Sequence, residues 1–211
     1  MHRTENYPLV ITKKLTIFIL LITPLCLFSQ NNDIRLLRSI NSSETLPLDD
    51  FFRFVSNSEV YIGLGIPAGI ATAGLLKDDK ELLRNACVVI GAAAISSCVT
   101  TALKYSVKRD RPFVTYPDIT KKSTGGSPSF PSGHTSNSFA VATSVSLAYP
   151  EWYIIVPTFA WAGTVAYSRM ELGVHYPSDI IAGAFIGIGS AYLTHKINEK
   201  LNRKKYKPLC Y

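Results

Sequence analysis

Cysteine is scarce in this chain of 211 residues, which has four, and no two of them form a Cys-x-x-Cys pair. The missing pattern argues against a metal site built on paired thiolates. Cys87 and Cys98 share one apolar segment, where a helix would hold their Cα atoms about 16 Å apart. A disulfide needs Cα atoms within roughly 7 Å, so these two cannot bridge, and we expect small packing residues instead.

Charged residues are also scarce, at 18% of the chain against 47% apolar residues. Five apolar segments contain no Asp, Glu, Lys or Arg: 60–76, 86–103, 135–149, 152–167 and 180–193. Each is near or below the shorter end of the roughly 17–25 residues that a membrane-spanning helix needs, so flanking polar residues must complete the spans. Five such segments in succession, with brief polar links, favour a bilayer over the core of a soluble domain. Two of them carry a Gly-x-x-x-Gly pattern, Gly65–Gly69 and Gly183–Gly187, which permits close helix packing.

The first 30 residues precede these segments and have a composition of their own. Lys13 and Lys14 are followed by an apolar run from Leu15 to Phe28. A secretory signal peptide and a first membrane span share this pattern, so residues 1–30 are expected to be one or the other.

We therefore expect an all-α protein, a polytopic membrane helical bundle of about six apolar helices, or five if the leader is removed. Residues 31–59 are polar with apolar clusters, which predicts an interfacial amphipathic segment. An ordinary surface helix packed on the rest of the domain has the same pattern. Residues 60–196 would form the membrane core, and residues 197–211 a basic cytoplasmic tail.

Basic residues lie mostly just outside the apolar segments. The net charge of +7 fits either nucleic acid or anionic lipid, and this placement favours lipid. When the segments are counted alternately, the basic clusters at 13–14, 77–84 and 196–207 fall on one side, which the positive-inside rule assigns to the cytoplasm. Residues 104–134 and 168–179 then share the opposite side. We expect an inner (plasma) membrane protein with these two regions facing the periplasm or exterior.

Three short motifs lie on that outer side. The first is Lys104 followed by Arg111-Pro112, in which arginine offers phosphate a planar fork and lysine a point charge. A juxtamembrane basic cluster that touches lipid headgroups would look the same. Lys108 and Arg109 lie between these cations and are not expected to contact the phosphate.

The second motif is Pro131-Ser132-Gly133-His134, which opens the apolar segment 135–149. A helix N-terminus presents free amides to an anion. Gly133 lets the backbone approach a phosphate closely, and the Ser132 hydroxyl can donate a hydrogen bond. His134 would stand at the rim and give a proton to a leaving oxygen. A capped helix start with a solvated histidine is the alternative.

The third motif is Ser168-Arg169, followed by His175 and Asp179. The spacing lets the Asp179 carboxylate accept from one imidazole nitrogen of His175, which fixes the tautomer and leaves the other nitrogen as a nucleophile. A structural His–Asp pair that caps a helix has the same spacing. Arg169 adds a third fixed cation. Three cations and two histidines at the edges of apolar segments predict cleavage of a lipid phosphate ester without a metal.

In this order, the three motifs resemble the signature of the type 2 phosphatidic acid phosphatase family, part of the lipid phosphate phosphatase and vanadium haloperoxidase superfamily. The signature reads K-x6-R-P, P-S-G-H and S-R-x5-H-x3-D, and every signature position is matched. The resemblance implies that His175 attacks phosphorus to form a phosphohistidine, that Asp179 orients it, and that His134 protonates the leaving group. It implies no metal and no other cofactor. The residues it implies for phosphate binding are Lys104, Arg111, Ser132, Gly133 and Arg169.

The implied substrate is a lipid phosphate such as phosphatidic acid, phosphatidylglycerol phosphate, undecaprenyl diphosphate or lipid A. We expect the membrane as the partner, with no nucleic acid and no obligate protein partner. A vanadium haloperoxidase would use a similar cation cage, but those enzymes are soluble and this chain has many apolar segments. A protein that binds or transports anionic lipids without chemistry would need the cations but not an oriented pair of His175 and Asp179.

Overall fold

The described part of the chain is built of helices joined by links. The computed structural model describes residues 31–41 and 48–205, and no strand occurs in these two ranges. The predicted all-α membrane class is confirmed, and each of the five apolar segments falls on one of the long helices. The signal-peptide or first-span prediction for residues 1–30 lies outside the described residues. The helices are α1 at residues 31–40, α2 at Leu48–Leu76, α3 at Lys80–Val107, α4 at Pro112–Thr115, α5 at Gly133–Ala148, α6 at Trp152–Glu171 and α7 at Pro177–Lys205.

Short and long links alternate along the bundle, and this alternation places the motifs. Residues 77–79 join α2 to α3, and residues 149–151 join α5 to α6. The links at the other end are 108–132, which includes α4, and 172–176. The C-terminal ends of α3 and α6 and the N-terminal ends of α5 and α7 meet at this second end, where Ser132 N donates to Asp179 O. All three motifs therefore lie at one end of the bundle.

Local sequence signals set where several helices begin. Asp79 caps α3 by accepting from the backbone N–H groups of Glu81 at 2.8 Å and Leu82 at 3.2 Å. Pro112 and Pro177 begin α4 and α7, at positions where a missing N–H leaves no intrahelical bond unmade. The two longer links thus enter their next helices at defined points.

α5 is the central helix of the bundle and carries His134 in its first turn. It packs against α2, α3, α6 and α7. Its buried residues are Ser, Thr, Ala and Val, and such small side chains let neighbouring helices approach closely. The start of α5 is therefore held in place from several sides.

The two Gly-x-x-x-Gly patterns have different surroundings. A Cβ at Gly187 would lie 2.8 Å from Ala140 N and 3.0 Å from Phe139 Cβ, and a Cβ at Gly183 would lie 2.7 Å from Ser132 O. Neither Gly65 nor Gly69 has a described atom within 4 Å of where its Cβ would be. The pattern on α7 thus forms a close seam with α5, and the pattern on α2 does not form one with the described residues.

We expect Gly187→Ala to lower the free energy of unfolding by about 1–3 kcal/mol, because the new methyl group would meet the backbone of α5, which cannot move aside. Gly189→Ala is the matched control, since nothing lies within 4 Å of that position and alanine favours a helix over glycine. Thermal unfolding in detergent measures both. Equal melting temperatures for the two variants would contradict the packing of α5 on α7.

Several helices suit a bilayer by length and surface. Among the described residues, three stretches are long and apolar enough to cross a membrane: Leu48–Leu76, Lys80–Thr115 and Pro177–Asn202. α5 has 16 residues and α6 has 20, and neither is among them. The outer surface exposes large apolar side chains, including Leu64, Phe185 and Trp152, as contact with lipid requires. The helix count of six or five stays a prediction.

The region 31–59 contributes two different pieces. Ile34 and Leu37 of α1 are buried in a cluster with Ile119 and Tyr176, so α1 packs on the rest of the domain. Phe51, Phe52 and Phe54 lie at the beginning of α2, the same helix that carries the apolar segment 60–76. α1 therefore lies against the links that hold the motifs.

Candidate active site

The structure brings the sequence-predicted site residues together at one end of the bundle. Lys104 lies in the last turn of α3, Arg169 in the last turn of α6, and Asp179 in the first turn of α7. His134 faces the charges of Lys104, Arg111 and Arg169 and the ring of His175. Ser132 and Gly133 begin α5 beside them. All eight predicted residues therefore border one region.

The three predicted phosphate-binding cations are buried in this region, and their hydrogen bonds among the described residues go to carbonyl and hydroxyl oxygens. Lys104 Nζ donates to Pro128 O at 2.6 Å, and Arg111 donates from Nε to Ser127 O at 2.8 Å and from Nη1 to Val174 O at 3.1 Å. Arg169 donates from Nη1 to Ser56 Oγ, while its buried Nε has no hydrogen-bond partner among the described residues. Within the described ranges none of the three forms a salt bridge, so their buried positive charge suits an anion.

His175 and Asp179 form a buried pair at the start of α7. His175 Nδ1 lies 3.4 Å from Asp179 Oδ2, with side chains that are 2% and 0% exposed. The same carboxylate oxygen accepts from Ser129 Oγ at 2.5 Å and from Tyr176 N at 3.0 Å. With Nδ1 facing the carboxylate, Nε2 is the imidazole nitrogen left for a substrate.

The start of α5 is arranged to receive an anion. Ser132 Oγ accepts from Thr135 Oγ1 at 2.9 Å and from Thr135 N at 3.5 Å, so its own hydroxyl proton remains available to a ligand. A Cβ at Gly133 would point toward Lys104 and lie 4.0 Å from its Cε. The backbone at the start of α5 therefore lies beside the lysine with no side chain at Gly133, as expected of a helix N-terminus that binds an anion.

Comparison with known proteins identifies the family. The family model described as the PAP2 superfamily matches residues 85–203, which is more than half of the chain. The chain belongs to the PAP2 superfamily. The family predicted from the motifs is confirmed, and so is the predicted enzyme class, a phosphoric ester hydrolase.

Individual relatives agree with this assignment. A lipid A 4'-phosphatase of Bacteroides thetaiotaomicron is 38% identical over 80 residues, which is 38% of this chain and 36% of that protein. A lipid A 4'-phosphatase of Porphyromonas gingivalis is 27% identical over 169 residues, 75% of this chain and 70% of that protein. The crystal structure of Aquifex aeolicus LpxE superposes with a TM-score of 0.65 at 26% identity and covers 78% of this chain and 94% of that chain.

Within this PAP2 site, burial lowers the pKa of His175 to about 4, against the partial opposition of Asp179. A lowered pKa keeps the imidazole neutral, so we expect about 90% of His175 to be uncharged at pH 5, whereas an unshifted histidine would be about 3% uncharged. NMR of isotope-labelled imidazole in detergent, with the signal assigned through His175→Ala, measures this. A midpoint near pH 6.5 would contradict the burial of the ring.

Three residues at this site were missed in the sequence. Arg109, which was not expected to contact the phosphate, binds the carboxylate of the His175–Asp179 pair, with Nη1 2.7 Å from Asp179 Oδ1. Ser129 contacts the same carboxylate, and Asp33 of α1 lies 3.0 Å from Arg109 Nη2. The one hint in the sequence is that Arg109 lies two residues before Arg111. No sequence pattern connects Arg109 to Asp33.

The Gly-Ser-rich loop 123–129 contacts two of the cations, Lys104 and Arg111, and Gly125 lies against the guanidinium of Arg111. A Cβ at Gly125 would be 2.7 Å from Arg111 Cζ, so a methyl group there would displace the guanidinium. Among the described residues nothing lies within 4 Å of the corresponding point at Gly126.

If Arg111 binds the phosphate as predicted, Gly125→Ala should lower kcat/KM by about 10- to 100-fold, because displacing a group that binds substrate by about 1 Å costs that much. The melting temperature should hardly change, since a flexible arginine tip can yield. Gly126→Ala is the control and should keep full activity. Equal activity of the two variants would show that Arg111 does not hold the substrate.

Proposed function

We propose that this protein is an integral-membrane lipid phosphatase that hydrolyses a phosphomonoester or diphosphate of a lipid without a metal. The observation that carries the proposal is the convergence of three buried cations, none of which forms a salt bridge among the described residues, on a buried His175–Asp179 pair at one end of an apolar bundle. Among the described residues, no group of three or more His, Cys, Asp or Glu could hold a metal ion. The cations would supply the charge stabilisation that phosphoryl transfer needs.

The first chemical step would transfer the phosphoryl group to His175. Its Nε2 attacks phosphorus while Lys104, Arg111 and Arg169 hold the equatorial oxygens. The bond from phosphorus to the leaving oxygen breaks, and His134 donates the proton that this oxygen takes up. Asp179 balances the positive charge that the imidazole of His175 acquires as a phosphohistidine.

The second step would release phosphate. His134, now neutral, takes a proton from a water molecule as the water attacks the phosphohistidine. The bond between phosphorus and His175 Nε2 breaks and inorganic phosphate leaves. His134 and His175 return to their starting protonation states, so the cycle consumes one water for each ester cleaved.

The site would face the periplasm, with the protein in the inner membrane. The short links 77–79 and 149–151 lie at the other end of the bundle from the site, and Lys77, Lys80 and Arg84 lie at or beside the first of them. The positive-inside rule assigns that end to the cytoplasm. Cysteine-accessibility labelling of a single cysteine placed in loop 123–129 tests this: impermeant reagent should reach it from outside the cell.

The lipid class is tested directly with purified protein in EDTA. The panel is lipid A, undecaprenyl diphosphate, phosphatidylglycerol phosphate and phosphatidic acid, with phosphate release as the readout. Lipid A is assayed first because two relatives are named lipid A 4'-phosphatase. Turnover of at least one lipid that is insensitive to EDTA supports the proposal. Lipid binding without phosphate release on any of the four would favour a non-catalytic lipid-binding protein and overturn it.

A further inference from the structure

The Asp179 carboxylate uses its two oxygens for different partners. Oδ2 faces His175 Nδ1 and also accepts from Ser129 Oγ and Tyr176 N. Oδ1 accepts from Arg109 Nη1 at 2.7 Å. The orientation of the carboxylate toward His175 therefore depends on what holds Oδ1 on the far side.

Arg109 is itself held rigidly. Its guanidinium lies over the Tyr176 ring, with Cζ 3.9 Å from the centroid, and its Nη1 also donates to Ser178 Oγ at 2.7 Å. Its backbone carbonyl accepts from Ser129 N at 2.8 Å. Among the described residues, Arg109 is the one cation in hydrogen-bond contact with Asp179, so it is the direct charge partner of a carboxylate that water cannot reach.

The remaining Nη2 of Arg109 is fixed by Asp33 from α1. Asp33 Oδ2 accepts from Arg109 Nη2 at 3.0 Å and from Ser178 Oγ, and Asp33 Oδ1 accepts from Ser178 N at 3.0 Å. The Asp33 side chain is 6% exposed. A continuous chain of charge-assisted hydrogen bonds thus runs from α1 through Arg109 to Asp179 and His175.

From this chain of contacts we infer that Asp33 and Arg109 are positioning residues for the nucleophile, so that α1 is part of the catalytic assembly. Neither residue reaches the substrate; both act by holding the Asp179 carboxylate against His175 Nδ1. The inference rests on the proposed phosphohistidine mechanism. It makes the rate of phosphoryl transfer to His175 depend on a carboxylate 142 residues away in the sequence.

A second ion pair of α1 provides a matched control, because it separates the docking of α1 from the contact between Asp33 and Arg109. Arg38 on the same helix pairs with Asp118, with Nε 2.6 Å from Oδ2. This second ion pair is exposed, at 47% and 52%, and joins α1 to the link 108–132 without touching the chain from Asp33 to His175. Asp118→Asn therefore weakens the docking of α1 and leaves the carboxylate of Asp179 in place.

The test compares Asp33→Asn, Arg109→Lys and Asp118→Asn in the full chain, in detergent and EDTA, with the lipid phosphate that the wild type turns over fastest. We expect Asp33→Asn to lower kcat about 10-fold and Arg109→Lys about 10- to 100-fold, since misplaced catalytic groups lose this much. KM should stay within about twofold, because the phosphate-binding cations are untouched. Rapid-quench measurement should show slower phosphoenzyme formation in both, and Asp118→Asn should match the wild type.

Combining the variants tests whether the two residues act as one unit. In the Arg109→Lys background, Asp33→Asn should lower kcat by less than about threefold, because the path it serves is already broken. Equal kcat for Asp33→Asn and Asp118→Asn, or a loss that appears only in KM or in the melting temperature, would overturn the inference. A wild type that hydrolyses no lipid phosphate would instead overturn the proposed function.

Discussion

Replacing His175 by alanine is expected to abolish phosphate release, with kcat lower by about 10³-fold or more, because the nucleophile of a covalent mechanism has no substitute. Its ring is 2% exposed and lies against a carboxylate, so an asparagine of similar size is a useful second variant if alanine unfolds the site. Rapid acid-free trapping with radiolabelled substrate should label the wild type and neither variant.

His195 is the matched control for this experiment. It lies on α7 and pairs with Glu199 at the same spacing of four residues, with Nε2 3.5 Å from Oε1, but the pair is partly exposed. His195→Ala removes a histidine with a carboxylate partner and should leave activity unchanged. Full activity of His175→Ala would show that another group attacks phosphorus, even if the protein is a phosphatase.

Arg169→Met is expected to lower kcat/KM by about 10²–10³-fold, the usual loss when one group that stabilises developing charge is removed. The same change should leave the melting temperature without ligand as high as that of the wild type, or higher. The reason is that Arg169 is 2% exposed, its Nε lacks a hydrogen-bond partner among the described residues, and Arg111 repels it more strongly than the nearby Glu59 attracts it. Removing it relieves a buried like-charge contact.

Orthovanadate gives this prediction a second readout. As a phosphate mimic it should raise the melting temperature of the wild type, and much less that of Arg169→Met. Arg84→Met is the control, because Arg84 is 41% exposed and its one ion pair among the described residues is with Glu81, so it should behave as the wild type. A strong loss of stability in Arg169→Met without vanadate would mean that the arginine holds the fold together rather than the substrate.

The sequence was informative wherever chemistry depends on residues close together in the chain. His175 and Asp179 are four residues apart at a helix start, and Ser132 and Gly133 open the next motif, so local geometry predicts how each pair is used. The alternation of apolar segments then predicts that distant motifs share one end of the bundle. Both predictions depend on helix geometry and on the burial of apolar residues, and residue spacing and apolar patterning in a single sequence indicate both.

The sequence was uninformative where contacts join distant parts of the chain. Asp33 and Arg109 are both ordinary surface residue types, and only the docking of α1 through Ile34 and Leu37 brings them together. The two Gly-x-x-x-Gly patterns look alike, yet only Gly183 and Gly187 approach another described helix. Such choices depend on which helix faces which neighbour, and this follows from the packing of the whole bundle.

The seam between α5 and α7 has a consequence for how this protein could change over evolutionary time. His134 is carried by α5 and Asp179 by α7, and the backbones approach so closely at Gly183 and Gly187 that a single added carbon does not fit. The close packing of α5 on α7 therefore fixes the distance between His134 and Asp179. Within the link 108–132, no described atom lies within 4 Å of where a Cβ of Gly126 would be, so new headgroup preferences can arise near that position without changing the spacing of His134 and Asp179.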